Sequence, residues 1–412
     1  MKLPVYMDYS ATTPVDPAVL EEMLPYFSDQ FGNAASIHHK FGTEAGMAVS
    51  KARQQVANLI GAEAKEIIFT SGATESNNIA IKGVAERYGD KGKHIITCVT
   101  EHKAILDTCK YLEQKGYEVT YLGVDTNGML DLQELKDAIR SDTILISLMA
   151  ANNEVGVLHP VKEIGEIARE KGVFFHCDAT QAVGKIPIDV NEMKIDLLSL
   201  SAHKIYGPKG VGALYARDKN PRVRPTAVLH GGGHEKGMRS GTLNSPGIVG
   251  LGKACEICQE VMAEESARLK KLSDKLIDEI LGTIEFAKLN GDRQHRLPNV
   301  VNLGFAYVEG ETLMMFMPEL AVSSGSACTS ATLGASYVLQ AMGVKDDEIH
   351  GSLRFSIGRF TTEEEIDFAV ECIEKSVHKA RALSPLYDDA IQGKCCKYGK
   401  CCDHGHGCVD DE

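Results

Sequence analysis

Short runs of apolar and β-branched residues alternate with stretches of helical periodicity between about residue 65 and residue 216. This alternation is typical of a parallel sheet covered by helices, because each crossover between parallel strands needs about a dozen residues or more. The pattern predicts strands over residues 67–70, 94–98, 118–122, 143–149, 173–177, 196–199 and 212–215. It predicts helices over residues 75–88, 103–115, 132–140 and 161–171. We therefore expect an α/β fold with a mostly parallel seven-stranded sheet sandwiched by helices.

The pattern changes after residue 247. One or two long helices are predicted over residues 247–281, where Glu and Lys recur at i,i+3 and i,i+4 spacing. Beyond them, strand patterns over residues 299–304, 320–323 and 352–357 alternate with helix patterns over residues 310–317, 336–342 and 362–381. We expect residues 15–260 to form a large domain and residues 1–14 and 261–390 to form a smaller α+β domain. Residues 391–412 are expected to be a tail with too few apolar residues to pack.

The 412 residues carry 44 Lys and Arg against 57 Asp and Glu, which gives a formal net charge of −13. Without a basic cluster, this balance argues against nucleic acid or an anionic membrane surface as the main partner. Nowhere do 18 apolar residues run together, and the first residues lack the apolar core of a secretory signal. We expect a cytoplasmic protein, where thiols stay reduced, so its 12 cysteines are interpreted as nucleophiles, metal ligands or buried side chains.

The first candidate site is the sequence Thr-Ser-Gly-Ala-Thr-Glu at residues 70–75, where a predicted strand runs into a predicted helix. Gly72 permits a tight turn there, and the free N–H groups of a first helical turn form a cup for an anion. The segment lacks the Gly-Lys-Ser/Thr ending of a nucleotide P-loop and the spaced glycines of a dinucleotide fold. A single phosphate is therefore the favoured guest, and a capped helix without a ligand is the alternative.

Two further candidate sites follow predicted strands. Asp178 and Gln181 come at the end of a buried strand, at the edge of the sheet where ligands of such folds bind. A buried acid there needs a partner such as a cationic ring nitrogen, unless it only caps the next element. Lys204 lies in a run of small and polar residues after another strand, which makes it a candidate amine for Schiff-base chemistry rather than a solvated surface group. Residues 201–204 also match the S-x-x-K signature of β-lactamases, but S-D-N and K-T-G are absent.

A cup for one phosphate, an acid at a strand end and a later lysine are the groups that pyridoxal phosphate requires. A family resemblance rests on seven segments, which are residues 69–76, 100–103, 151–156, 178–181, 201–210, 239–242 and 323–330. In these motifs the chain resembles cysteine desulfurases of the NifS/IscS type, in the class V aminotransferase family with pyridoxal-phosphate fold type I. The likeness extends over residues 6–386, more than nine-tenths of the chain.

The resemblance implies a complete pyridoxal phosphate site. It implies that Lys204 bonds to the cofactor aldehyde, that Asp178 pairs with the ring nitrogen, and that His102 stacks on the ring and moves protons. Gln181 would contact the phenolic oxygen. The remaining cofactor contacts would come from Ala73, Thr74, Ser201 and His203 at the phosphate, from Asn153, and from Thr242 of a second subunit. The active unit would then be a homodimer.

Cys328 is the residue on which the implied reaction depends. It lies in a run of small residues, 323–331, that suits a loop presenting a thiol. The resemblance makes it the nucleophile that takes sulfur from L-cysteine as a persulfide, with Asn153 and Arg354 contacting the substrate carboxylate. Alanine would leave, and an acceptor protein would receive the sulfur for iron–sulfur cluster assembly, with Cys328 also a candidate cluster ligand. A selenocysteine lyase or another class V enzyme is the alternative.

The last 18 residues hold five of the 12 cysteines, and the resemblance does not extend to them. The candidate soft-metal ligands there are Cys395, Cys396, Cys401, Cys402, Cys408, His404 and His406. These side chains could hold Zn²⁺, Cu⁺ or an iron–sulfur cluster, but a persulfide relay or incidental thiols would give the same composition. The remaining cysteines are interpreted as packed side chains, and they are Cys98, Cys109, Cys177, Cys255, Cys258 and Cys372.

Overall fold

The structure, a computed structural model, describes residues 1–324 and 335–391. Its strands are β1 (Val5–Tyr6), β2 (Ile67–Thr70), β3 (His94–Cys98), β4 (Glu118–Leu122), β5 (Thr143–Met149), β6 (Phe174–Asp178), β7 (Leu197–Ser201), β8 (Gly212–Ala216), β9 (Ala287–Asn290), β10 (Val300–Phe305), β11 (Leu320–Ala321), β12 (Ser323–Ser324) and β13 (Ser352–Ser356). Its α-helices are α1 (Pro17–Met23), α2 (Pro25–Ser28), α3 (Lys40–Leu59), α4 (Ala73–Tyr88), α5 (Lys103–Glu113), α6 (Leu132–Ala138), α7 (Val161–Lys171), α8 (Ser245–Thr283), α9 (Gly310–Phe316), α10 (Tyr337–Ala341), α11 (Asp346–His350), α12 (Glu363–Arg381) and α13 (Pro385–Ile391). None of these helices combines the length and apolar character needed to cross a bilayer.

Seven strands form one sheet in the order β2-β8-β7-β6-β5-β3-β4. The pairs among β7, β6, β5, β3 and β4 are parallel, whereas β8 runs antiparallel to both of its neighbours. Both faces of the central strands are covered, so all seven residues of β5 are buried and its sequence is a continuous apolar run rather than an alternating one. The mostly parallel seven-stranded sheet is confirmed, with strand ends displaced by at most two residues.

Residues 245–283 form one helix of 39 residues, so the choice between one and two helices is settled in favour of one. The Asn244 side chain caps it by accepting a hydrogen bond from Gly247 N. Its first half packs closely against α3, because a Cβ added to Gly252 would lie 2.6 Å from Ala52 Cα. Small residues in this half therefore permit the close approach of the two helices.

The second half of the chain contains a four-stranded antiparallel sheet in the order β12-β13-β10-β9, beside the parallel pair β1 and β11. The single strand predicted over residues 320–323 was wrong, because this segment divides between β11, which pairs with β1, and β12, which pairs with β13. The pattern of apolar residues in the sequence does not predict α1, α2, α3, α11, α13, β1 or β9. The pattern of α3 is weak because Gly42, Ala45, Ala48 and Ala52 make up much of its buried face.

Helix α8 connects two apolar cores. Its residues as far as Cys258 pack around the seven-stranded sheet, and those from Leu269 onward pack in the smaller core. Val5 and Met7 join the smaller core, whereas Val300 packs in the larger one. We propose that the boundary between the two domains lies in α8 near residue 260, with the N-terminal strand in the smaller domain.

Candidate active site

A cavity of about 510 Å³ lies at the carboxyl ends of the central strands. Ligands of open α/β sheets bind at this edge because the loops that leave the strands converge there. Every predicted cofactor residue except Thr242 lines the cavity: Ala73, Thr74, His102, Asn153, Asp178, Gln181, Ser201, His203 and Lys204. Thr242 is exposed and lies outside the cavity lining.

One end of the cavity is built by the start of α4. Gly72, the residue before the helix, has a φ of +150° and provides no side-chain cap. The amides of Ala73 and Thr74 have no hydrogen-bond partner among the described residues. Gly212 lets β8 approach this turn, since a Cβ there would lie 2.7 Å from Gly72 Cα. Open amides and a side-chain-free turn fit a phosphate group.

Asp178 ends β6 on the cavity wall and is only 6% exposed. Its Oδ2 accepts from Asn77 Nδ2 at 2.8 Å, and its Oδ1 accepts from Thr180 N at 3.0 Å and from Thr180 Oγ1 at 2.5 Å. All three donors are neutral groups. A cation on the cavity side would compensate the buried charge, so the carboxylate fits a protonated ring nitrogen.

Lys204 ends a short 3₁₀ helix, Ala202–Lys204, that follows β7 directly. Its Nζ donates to the carbonyl oxygens of Ser10 at 2.5 Å and Ala11 at 2.8 Å. Gln181 Nε2 donates to the same Ser10 oxygen at 3.0 Å. The N-terminal segment therefore orients both the lysine amine and the glutamine amide toward one side of the cavity.

Two histidines on the cavity wall are neutral at physiological pH. His102 Nδ1 accepts a hydrogen bond from Ala104 N at 3.1 Å, so the proton of the neutral ring resides on Nε2. Burial lowers the pKa of His102, and the nearby Lys204 lowers it further against the opposing effect of Asp178. Burial, followed by the charge of Lys204, lowers the pKa of His203 to about 4. Neutral rings can donate and accept protons near the substrate.

Arg354 adjoins the cavity through Asn153 rather than lining it. The guanidinium is fully buried, and its Nη1 donates to the Asn153 carbonyl oxygen at 2.9 Å. Its Nη2 forms an ion pair with Asp8 Oδ1 at 2.7 Å. The side chain of Asn153 lines the cavity, and its Oδ1 is buried without a hydrogen-bond partner among the described residues. Asn153 is therefore the member of this group that faces the cavity.

Some predicted residues lie outside the described part of the chain. They are Cys328 and the tail residues Cys395, Cys396, Cys401, Cys402, His404, His406 and Cys408. Within residues 1–324 and 335–391, no group of His, Cys, Asp and Glu side chains is arranged to hold a metal ion. Five of the six cysteines predicted to be packed are confirmed as buried: Cys98, Cys109, Cys177, Cys255 and Cys258. Cys372 is only partly buried, because it lies at the edge of the smaller core.

Sequence reasoning missed the cavity residues Ser10, Ala11, Thr12 and Asn77 and the Arg354 partner Asp8. Ser10, Ala11 and Thr12 belong to a run of small polar residues at 10–13, which was a usable signal of a close backbone approach. Asn77 gave no signal, because a polar residue in a helix is ordinary. Its contact with Asp178 spans 101 residues of sequence.

Comparisons with known proteins identify several similar chains. The family model described as Aminotransferase class-V matches residues 5–368. The chain is 58% identical over 388 residues to the cysteine desulfurase IscS of Anaeromyxobacter dehalogenans (strain 2CP-C), covering 94% of this chain and 96% of that protein. A solved NifS-like protein superposes with a TM-score of 0.84 at 40% identity, covering 91% of this chain and 99% of that one. The solved structure of SspA in complex with cysteine gives a TM-score of 0.76 at 39% identity, covering 87% and 100%.

Proposed function

Since the chain belongs to the class-V aminotransferase family and is a cysteine desulfurase that uses pyridoxal phosphate, we propose how its own residues carry out the reaction. The observation that carries the proposal is the convergence of a lysine amine, a buried acid and open helix amides on one cavity. Bound pyridoxal phosphate supplies an electron-accepting ring that stabilises negative charge on the substrate carbon. Identity of 58% to a cysteine desulfurase does not favour the alternative, a selenocysteine lyase or another class V enzyme.

With pyridoxal phosphate bound, Lys204 would hold the aldehyde before the substrate arrives, and its released amine would then take the proton from the substrate Cα. The carbonyl oxygens of Ser10 and Ala11 accept from its Nζ and therefore give the released amine a resting position on the cavity wall. Asp178 would keep the ring nitrogen of the bound cofactor protonated, and Gln181 would contact its phenolic oxygen. Lys204→Ala should lose both the visible absorption of bound cofactor and all turnover.

The phosphate is held by the amides of Ala73 and Thr74 together with Ser201 and His203. His203 is suited to this role as a neutral donor, because its Nδ1 lies 3.2 Å from Thr12 Oγ1 and its ring is uncharged at physiological pH. A neutral donor orients an anion by hydrogen bonding without requiring a buried charge.

The substrate is L-cysteine, and its carboxylate is placed at Asn153 on the cavity wall, with the buried cation of Arg354 directly behind that residue. His102 exchanges protons with the substrate through Nε2, because its Nδ1 is committed to the amide of Ala104. The Cys328 thiolate attacks the substrate sulfur, so an S–S bond forms and the C–S bond breaks. The bonding electrons stay on the carbon fragment, which is protonated and leaves as alanine.

The second subunit is proposed from an uncovered apolar surface beside α3. Phe31, Ile37, Phe41 and Met47 are exposed there, which is unusual for large apolar side chains grouped on a monomer surface. A groove of about 590 Å³ next to them is lined in part by Leu243, the neighbour of Thr242. A homodimer that covers this surface would place Thr242 of one subunit at the phosphate of the other.

Mixed dimers test the contribution of Thr242 across the interface. Subunits carrying Lys204→Ala are combined with subunits carrying Thr242→Val, and only the second kind can bond to the cofactor aldehyde. If Thr242 acts on the partner, the mixed dimer regains one site with full cofactor affinity. Absence of any recovery, with dimers verified by sedimentation, would contradict the exchange.

Sulfur delivery is proposed to end on an acceptor protein in iron–sulfur cluster assembly. The proposed compartment is the cytoplasm, where the thiol of Cys328 is kept reduced and can act as a nucleophile. Cysteine carrying radioactive sulfur is supplied to the enzyme, which is desalted and then mixed with a cluster scaffold protein that has free thiols. Label should move to the scaffold from the unaltered enzyme and not from Cys328→Ser. Label retained by the unaltered enzyme would contradict direct transfer.

A further inference from the structure

Glu75 lies in the first turn of α4, at the end of the helix that faces the cavity. Its Oε2 accepts from Ser71 N at 2.5 Å, and its Oε1 accepts from Arg239 Nε at 2.9 Å. Arg239 Nη2 also reaches Glu75 Oε2 at 3.5 Å. Both side chains are more than four-fifths buried. Burial alone would raise the pKa of Glu75, but hydrogen bonds from Arg239 and Ser71 outweigh it and the pKa is lowered, so the carboxylate is ionised.

An ionised Glu75 creates a conflict at this helix end. The positive end of the helix dipole attracts any nearby anion, and the carboxylate of Glu75 competes with a phosphate for the amides of Ala73 and Thr74. Two anions in one partly buried turn also repel each other. Arg239 resolves the conflict, because it holds the carboxylate against Ser71 N and cancels its charge. The turn at Gly72 can then present its amides to the cavity.

The turn that precedes Arg239 is held by a second ion pair, between Arg53 and Glu235. Glu235 is 3% exposed at its side chain and accepts two hydrogen bonds from Arg53, each of 2.7 Å. Its Oε2 also accepts from Phe69 N on the edge strand β2, at 2.8 Å. Glu235 and Lys236 have φ angles of +47° and +57°, which non-glycine residues rarely adopt. The bonds to Arg53 and β2 therefore fix a strained turn that precedes Arg239.

We propose that Arg239 and Glu75 are positioning residues for the phosphate group of the cofactor, and that the ion pair between Arg53 and Glu235 holds Arg239 where it can act. This inference rests on the proposed placement of the phosphate at the start of α4. Arg239 acts on the phosphate only through Glu75 and the turn that Glu75 fixes. The effect should therefore be specific to a ligand with a phosphate group.

Pyridoxal phosphate and pyridoxal, which lacks the phosphate, separate this role from general stability. Both are titrated into cofactor-free dimers, and binding is followed by the visible absorption of the lysine-bound aldehyde. Arg239→Met should weaken pyridoxal phosphate by about tenfold and leave pyridoxal unchanged. Arg239→Lys should recover part of the loss, because a lysine retains the positive charge but cannot reproduce the planar guanidinium that contacts both carboxylate oxygens of Glu75. Glu235→Gln should give a smaller loss with the same preference.

The double variant Arg239→Met/Glu75→Gln provides the sharpest test. If Arg239 works by restraining the charge of Glu75, removing that charge should restore most of the affinity for pyridoxal phosphate lost in Arg239→Met. No restoration would overturn the mechanism. The matched control is Arg169→Met, which breaks an ion pair with the buried Asp196. Asp196 directly precedes β7, at the end of that strand away from the cavity. It should affect unfolding and leave the preference between the two ligands unchanged.

Three outcomes distinguish failure of this inference from failure of the site. Equal losses for pyridoxal phosphate and pyridoxal in Arg239→Met would make Arg239 a structural residue only and overturn the inference. If Ser201→Ala and His203→Ala also leave the preference for pyridoxal phosphate intact, the placement of the phosphate at α4 is wrong. If those two variants lose the preference and Arg239→Met does not, the site stands and the positioning role fails.

Discussion

Replacing Asp178 by Asn removes a charge from the cavity wall while leaving the shape of the side chain almost unchanged. The oxygen of the new amide can keep both bonds from Thr180, at the position of Oδ1. The nitrogen of the new amide then takes the place of Oδ2, which accepts from Asn77 Nδ2 at 2.8 Å in the unaltered protein, so two donors face each other. Two facing donors would cost about 1–3 kcal/mol if nothing moved. However, Asn77 Oδ1 is buried without a partner among the described residues, so a half-turn of that amide restores the bond.

The structure therefore predicts that the free energy of unfolding of the cofactor-free protein changes by less than about 1 kcal/mol in Asp178→Asn. The functional effect should be much larger. A hydrogen bond to a charged group contributes about 1.5–3 kcal/mol, and the protonated ring nitrogen loses that partner. This loss corresponds to about a 10- to 100-fold fall in the rate of alanine formation.

Denaturant unfolding of the cofactor-free protein and alanine formation from cysteine measure the two effects separately. The control is Asn77→Ala/Asp178→Asn, in which the compensating amide is absent and the nitrogen of residue 178 has no acceptor. That variant should lose a further 1–3 kcal/mol or so of stability without a further fall in rate. Turnover of Asp178→Asn within twofold of the unaltered enzyme would refute the role of Asp178. A loss of stability above about 1 kcal/mol in Asp178→Asn would refute the rearrangement of Asn77.

Three further predictions concern stability and the tail. Gly212→Ala should destabilise the protein by about 1–3 kcal/mol and weaken cofactor binding, because its Cβ would lie 2.6 Å from the carbonyl oxygen of Leu200. Gly282→Ala is the control and should have neither effect, because the space around Gly282 is open. Denaturant unfolding and cofactor titration measure the two effects. Burial lowers the pKa of His159 to about 4, below its value of about 6.5 in an unfolded chain, so stability is lost as the pH falls between these values. In His159→Met the stability relative to the unaltered protein should rise by about 2 kcal/mol from pH 7 to pH 5, and parallel pH profiles would contradict the assignment. If the tail holds a soft metal, a version ending at Gln392 should lose that metal and keep its rate of alanine formation, whereas metal content equal to that of the full chain would exclude the tail as a ligand set.

The sheet and much of its site could be predicted because their signals are local. The strands that end at Asp178 and precede Lys204 are continuous apolar runs, and parallel strands bring their carboxyl ends to one edge. Lys204 and Asp178 thus belonged to one site before any contact was known. The short strands β11 and β12 could not be predicted, since each has two residues and is defined by its partner strand.

The missed residues depend on contacts that are distant in sequence. Asp8 forms an ion pair with Arg354, 346 residues away in sequence, and the carbonyl oxygen of Ser10 accepts a hydrogen bond from Lys204, 194 residues away. Neither contact produces a periodic pattern in the sequence. Both contacts depend on the position of β1, which pairs with β11, and of the residues after β1, which line the cavity. Helix α3 was missed for a different reason. Its buried face is made of small residues, so the apolar pattern that indicates a packed helix is weak.

The most direct measurement supplies L-cysteine to the purified full-length enzyme in the absence of any keto acid and quantifies the products. We expect alanine and released or protein-bound sulfur in equal amounts. We also expect Cys328→Ser to retain the visible cofactor band but to carry no persulfide and release no sulfide. Formation of pyruvate and ammonia in place of alanine, a requirement for a keto acid, or brisk sulfide release by Cys328→Ser would contradict it.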